Sequence, residues 1–272
     1  MSFVAEFSGE LLYHKSTVLD HKNIVHGFST RLGGVSTGEF ASLNLRGSGD
    51  YPDDAALVEE NYRRFCAAVG ADVHGVVLSK QVHEDTIRHV TAADAGKGLF
   101  CPRDYSADAL VTNEAGLNLM VFSADCGIFL MHDPESGCIG AVHAGWRGTA
   151  LDLPCKTVRE MGRLFGAKPE NIRVSIGAMI GPCCFETDRD VPDAMFAAFG
   201  PETEAFVREY HGKWMVDLRG INQWRLRDAG ILPENMDINN MCTVCHGDLY
   251  WSHRRSGDRR GVHGALIGLK GE

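Results

Sequence analysis

The chain has 272 residues, 27 of them basic and 36 acidic, a net charge of −9 and a hydrophobic share of 44%. That composition provides for a sizeable soluble core, and its acidic balance disfavours sequence-independent nucleic-acid binding, which relies on neutralising phosphates. No stretch approaches the roughly 18 uninterrupted apolar residues of a membrane helix, and Met1–Glu10 lacks a basic-then-apolar leader, so a cytoplasmic chain with reduced thiols is expected.

The first element in chain order is a helix over Asp53–Val69, with Asp53 or Asp54 as its cap and Gly70 as its stop. Short apolar runs then read as strands at Val76–Leu78, Ala109–Thr112, Leu117–Ser123, Ile128–His132 and Ile139–His143. The gaps after Ala109 are too short for helical crossovers, so hairpins are expected, with turns at Glu114–Gly116 and Pro134–Gly137. A helix follows over Thr149–Phe165, with Pro154 moving its start toward Leu153, and then a strand over Ile172–Ile176. Helices at Val191–Phe199 and Leu218–Ala229 and strands at Ile238–Met241 and Ala265–Leu269 complete the pattern. The fold class expected is α+β with mixed sheets, in one domain spanning 1–272.

Three strands end in a borderline or soft metal ligand: His83 in Lys80-Gln81-Val82-His83, Cys126 in Ser123-Ala124-Asp125-Cys126, and His143 in His143-Ala144-Gly145-Trp146-Arg147-Gly148. Three such ligands suit Zn²⁺ and leave a fourth position open, the arrangement of a catalytic site. The alternative is two hydrogen-bonded core histidines and an inert buried thiol. Asp125 and Glu84 adjoin these ligands, either as carboxylates orienting an imidazole, as a general base, or simply as solvated strand ends.

Arg31, beside Gly33-Gly34, and Arg147, beside Trp146, are candidate anion holders. Their alternatives are a loop turn and an arginine stacked on a ring. The other dense basic run, Arg254, Arg255, Arg259 and Arg260, reads as a solvated face or turn. Cys183 and Cys184 are adjacent, which disfavours an unstrained disulfide between them and leaves nucleophile, redox pair or packing open. Cys242-Thr243-Val244-Cys245-His246 has haem-attachment spacing but no exported context, and no second Cys-x-x-Cys pairs with it for zinc, so it reads as a decoy. None of the 12 histidines lies two positions from another, which disfavours the His-x-His copper cluster of a multicopper oxidase.

Taken together, these motifs resemble the YfiH/YlmD family, long called the polyphenol oxidase or laccase-domain family and including the mammalian FAMIN protein. The resemblance runs from about His26 to Leu269 and is carried by His26–Ser36, Ala41–Leu45, Lys80–His83, Asp108–Thr112, Ala124–Cys126, His143–Gly148, Ile180–Cys183, Cys242-Thr243, Asp248-Leu249 and Ser252–Arg255. It implies one α+β domain of packed mixed β-sheets flanked by helices, and a zinc held by His83, Cys126 and His143. It also implies phosphorolysis of adenosine, inosine or guanosine, with adenosine deamination and methylthioadenosine phosphorolysis as side activities. Two positions depart from the family pattern: Gly127-Ile128 follows Cys126 where a nearby proline is common, and Glu84 follows His83 where glycine is common.

On that reading Cys126, Asp125 and Arg147 are catalytic, and Arg31 with Arg147 holds phosphate while Asn44 or Gln81 binds ribose or base. The partners are a small nucleoside and phosphate, with neither nucleic acid nor membrane, and nothing sets an oligomeric state. Rival readings are a hydrolase with Cys126 as nucleophile, of which a peptidoglycan-precursor editing amidase is the specific version; a copper-dependent phenol oxidase; and a non-catalytic protein with structural zinc.

Overall fold

Successive side chains of a strand point to opposite faces, so a run such as Ile128-Phe129-Leu130-Met131 is tolerated only where both faces of its sheet are covered. The computed structural model, which describes residues 3–46 and 51–271, covers both. Its strands are β1 (Phe3–Ser8), β2 (Leu11–Ser16), β3 (Ile24–Ser29), β4 (Val76–Leu78), β5 (Ile87–His89), β6 (Ala109–Thr112), β7 (Asn118–Ser123) and β8 (Gly127–Asp133). They continue as β9 (Cys138–Ala144), β10 (Arg173–Ile176), β11 (Glu186–Thr187), β12 (Val207–Tyr210), β13 (Lys213–Val216), β14 (Met236–Ile238) and β15 (His263–Leu269). The helices are α1 (Ala55–Val69), α2 (Trp146–Ala150), α3 (Leu153–Phe165), α4 (Asp190–Phe199), α5 (Leu218–Asp228) and α6 (His253–Ser256).

Two six-stranded sheets form, in the orders β1-β2-β3-β15-β7-β4 and β14-β10-β8-β9-β6-β5, beside a small sheet β11-β13-β12. Both large sheets are mixed: β4 runs parallel to β7, β5 to β6 and β14 to β10, while their other pairings are antiparallel. Ile128 and Leu130 of β8 meet Leu119, Val121 and Ile267 of the first sheet in the core between the sheets. Phe129 and Met131, on the opposite face, pack with Leu153, Val158 and Met161 of α3 and Ile221 and Leu226 of α5. The outer face of the first sheet is covered by α1 through Val58, Tyr62, Phe65 and Val69. The α+β class and the helix-flanked mixed sheets expected from the sequence are therefore what the chain forms. Among the described residues no helix is long and apolar enough to cross a membrane.

Local signals account for the helix ends. The Asp54 side chain accepts from the amides of Ala56 and Leu57, and Gly70 closes α1 in the left-handed region at φ 78°. A cap of this kind contributes about 1 kcal/mol. α3 starts at Leu153 with Pro154 in its first turn, and the preceding Trp146–Ala150 turns form the separate α2.

Two expectations change. The β8–β9 hairpin forms over Pro134–Gly137, with Asp133 Oδ1 accepting from the Glu135 amide, but Glu114–Gly116 does not close a hairpin. It hands the chain from β6 in the second sheet to β7 in the first, so Leu110 and Leu119 both enter the core between the sheets. The strand expected at Ile238–Met241 lies at Met236–Ile238 instead, because Asn239 Oδ1 caps the Met241 amide and turns the chain away.

Candidate metal centre

His83 reaches the site along an extension of β4. The Gln81 amide imitates a strand partner: Oε1 accepts from Phe122 N at 2.8 Å and Nε2 donates to Phe122 O at 2.9 Å. Beyond it, the amides of Val82, His83 and Glu84 all donate to the buried Asp108 carboxylate, at 2.9, 3.1 and 3.2 Å. That turn holds His83 at φ 64°, a conformation costly for a side chain other than glycine and stable only where its surroundings enforce it.

Cys126 sits where the chain passes from β7 in the first sheet to β8 in the second. Asp125 occupies the turn at φ 95°, and Ser123 Oγ donates to the Cys126 carbonyl at 2.6 Å. His143 lies on β9 opposite Ile128. Its Nδ1 is 2.8 Å from Asp108 Oδ1, and its amide donates to the Asp108 carbonyl at 2.7 Å. With Nδ1 engaged by Asp108, Nε2 is the nitrogen left to face Cys126.

The ligating atoms of His83, Cys126 and His143 lie within 4.8 Å of one another, and Cys126 Sγ is 3.9 Å from His83 Nε2. Tetrahedral zinc, with bonds of about 2.0 Å to nitrogen and 2.3 Å to sulfur, separates such atoms by about 3.5 Å. The donor set and its spacing therefore fit a borderline cation, with His83 on the exposed side. Burial pushes the Cys126 thiol up, but the His143 and His83 imidazoles outweigh it and hold the group on the thiolate side. Burial likewise lowers His143, and the Cys126 and Asp108 charges more than reverse it. Gly145 forms one wall: a Cβ there would lie 2.7 Å from Cys126 Sγ.

The other residues singled out from the sequence are distributed unevenly. Asp125 is beside the site, but its carboxylate accepts from Thr243 Oγ1 at 2.6 Å and from Arg254 N at 2.7 Å, which braces the turn. Glu84 is exposed. Arg147, also exposed, stacks its guanidinium 4.1 Å over the Trp146 ring. Arg31 donates to the carbonyls of Gly247 and Ala41 and lies 3.9 Å over Trp251. Asn44 is buried with both amide ends engaged, Nδ2 by Arg46 O and Asp53, and Oδ1 by the amides of Arg46 and Val262.

Sequence reasoning passed over Asp108, Gly145 and Arg260. An aspartate at the head of the short run Ala109–Thr112, which is buried throughout, was the available signal for Asp108. Arg260 was grouped with a solvated basic face, yet its Nε and Nη1 are buried and meet no hydrogen-bond partner among the described residues. Its charge is felt by both Asp125 and Cys126. Cys183 and Cys184 lie in space beside Cys242 and Cys245, a proximity that the spacing of neither pair announces.

A family model described as multi-copper polyphenol oxidoreductase laccase matches residues 25–270. The chain is 35% identical over 91% of each sequence to purine nucleoside phosphorylase YlmD of Geobacillus stearothermophilus. It belongs to the YfiH/YlmD family. A second relative in that family, a purine nucleoside phosphorylase of Deinococcus radiodurans, is 37% identical over 90% of this chain and 89% of its own length. The YfiH/YlmD fold is matched directly by the crystal structure of Geobacillus stearothermophilus YlmD, at a TM-score of 0.89 and 32% identity, covering 99% of this chain and 100% of that one.

Proposed function

We propose that the chain, acting as one cytoplasmic domain, is a zinc-dependent purine nucleoside phosphorylase that converts adenosine, inosine or guanosine and phosphate to the base and ribose 1-phosphate. The convergence of His83, Cys126 and His143, with Asp108 behind His143, carries this reading, and the names of the family relatives support its substrate class. Zinc is preferred to a multicopper cluster because His83, Cys126 and His143 form one three-ligand group with an exposed side and none of the 12 histidines lies two positions from another.

A metal held by His83, Cys126 and His143 would supply Lewis acidity to the site. The protein's own groups do the rest. Asp108 fixes the His143 tautomer and ring orientation. Arg260, whose Nε and Nη1 are buried and without a hydrogen-bond partner among the described residues, holds the phosphate dianion, and Arg147 leaves Trp146 to close on it. A phosphate oxygen forms the bond to C1′ as the C1′–N9 bond breaks; the base leaves with the bonding pair and ends with the proton phosphate loses. The Asp125 carboxylate adds negative charge near the sugar, whose transition state is positive. Gln81, Asn44 and Arg31 brace the loops around the sugar and base through the hydrogen bonds they already make.

The test is metal analysis of the purified protein alongside adenosine turnover with and without phosphate. Adenine and ribose 1-phosphate formed only with phosphate support the reading; inosine alone points to deamination, and neither product overturns it.

One observation favours a second reading. Cys126, His143 and Asp108 are arranged as a thiolate, an imidazole and an orienting carboxylate, the relation a cysteine nucleophile requires. A peptidoglycan-precursor amidase would trap an acyl-thioester on Cys126, whereas a ligand thiolate is protected from alkylation by zinc.

A further inference from the structure

Cys183 and Cys184 lie in the turn that follows β10, and Cys242 and Cys245 in the one that follows β14. β10 and β14 are parallel neighbours, and a bridge between Met179 and Cys242 extends their pairing, so the two segments leave the sheet side by side. All four sulfurs lie within 4.8 Å of one another. Cys245 Sγ is 3.7 Å from Cys183 Sγ and 3.5 Å from Cys184 Sγ, and every one of these cysteines is free. A zinc–sulfur bond of about 2.3 Å makes the edge of a tetrahedron of sulfurs about 3.8 Å. The separations are thus those of thiolates around a cation, and too long for a disulfide at about 2.05 Å.

Several features point the same way. The Gly181 amide donates to Cys242 Sγ at 3.2 Å, and the amides of Val244 and Cys245 are turned on the same sulfur. A Cys-x-x-Cys turn whose amides point at its first sulfur is arranged to hold a thiolate. Gly181 eases this approach: a Cβ there would lie 3.2 Å from Cys242 Cβ and 3.3 Å from Cys183 Sγ. The Arg219 guanidinium donates to the carbonyls of Met179, Asn240 and Met241, bridging the same two segments and setting a positive charge beside Cys242 and Cys183. Cys183 and Cys245 are exposed, so thiol packing in a core does not account for the cluster.

We propose that Cys183, Cys184, Cys242 and Cys245 form a second, closed tetrahedral site for a soft divalent cation, zinc first, separate from the His83–Cys126–His143 centre. Four thiolates leave no open position, so its role is structural. It clamps together the segments that deliver Thr243 and Ile180 onto Asp125, where Thr243 Oγ1 meets the carboxylate and the Ile180 amide meets the carbonyl. The clamp thereby steadies the turn that presents Cys126. This proposal stands on different residues from the phosphorylase reading and survives its failure.

The experiment uses the full chain prepared under reducing conditions with zinc. Wild type is expected to hold two zinc ions per chain, and Cys126→Ala one. Cobalt(II) substituted into Cys126→Ala should give the ligand-field and charge-transfer spectrum of a four-thiolate tetrahedral site. Adding Cys245→Ser, an exposed position, should abolish that spectrum. Because Cys126→Ala leaves all four thiols intact, its metal content decides the matter even if the cysteine variant fails to fold. A metal-free Cys126→Ala protein, or a native disulfide among these cysteines by mass spectrometry, overturns the proposal.

Discussion

Asp108 holds His143 twice: its carboxylate meets Nδ1 at 2.8 Å, and its backbone carbonyl accepts the His143 amide at 2.7 Å. The same carboxylate gathers three amides of the turn that carries His83, so one buried side chain sets two of the three ligands.

Asp108→Asn keeps the size of the side chain but removes its charge. Metal affinity, read by competition with a chromophoric chelator, should fall about 10–100-fold. Unchanged affinity would mean that Asp108 only packs.

Gly145→Ala tests the wall of the site. The backbone at φ −73°, ψ −168° accepts alanine, so the fold should survive, but the new Cβ would press on Cys126 Sγ from 2.7 Å. A loss of about tenfold in metal affinity, near 1.4 kcal/mol, is expected with little change in melting temperature.

Arg260→Ala should raise the apparent KM for phosphate about 10–100-fold, the worth of charge-assisted hydrogen bonds of about 1.5–3 kcal/mol. Arg147→Ala should raise it less, and Arg31→Ala should chiefly lower stability, since Arg31 ties Ala41 to Gly247. Initial rates across a phosphate series separate the three variants; an unchanged phosphate KM in Arg260→Ala removes it from the anion site.

Stability should fall in acid through buried imidazoles, His26 and His132 among them. Burial, with Lys15 adding and Asp20 and the Ser16 backbone opposing, lowers His26 to about 4. Burial, with His21 and Arg173 adding and Asp133 opposing, lowers His132 to about 4. Below the unfolded value of about 6.5 the unfolded chain takes up protons that the fold refuses, so stability drops as pH falls from about 6.5 toward 4. Urea midpoints measured across that range should decline, and His26→Gln or His132→Gln should each flatten the slope by about one proton.

Much of this was legible in residues whose neighbours in sequence are also their neighbours in space. The Asp54 cap, the Gly70 stop and the turn at Pro134–Gly137 depend on short-range chemistry, and the apolar strands from β6 to β9 announce themselves by composition. The three ligands were visible because each stands at the end of such a strand. What escaped depends on long-range approach. β6 and β7 read as a hairpin because sequence carries no signal for which sheet a strand joins. Asp108 acts through backbone amides 24 to 26 residues away, Arg260 is buried only by the tertiary fold, and the four-thiol cluster spans about sixty residues of chain.

The position of β15 has a consequence for when activity can appear during synthesis. The strand from His263 to Leu269 is not at an edge but between β3 and β7, where its residue His263 pairs with Ser123, three residues before Cys126. A nascent chain that has already translated all three ligands still lacks the middle of its first sheet. β3 and β7 then have no common neighbour, and the strand that leads into the Ser123–Cys126 turn lacks one of its two flanking strands. Competence to bind metal at full affinity should therefore arrive only once β15 has joined the first sheet, making that site a reporter of the sheet's closure.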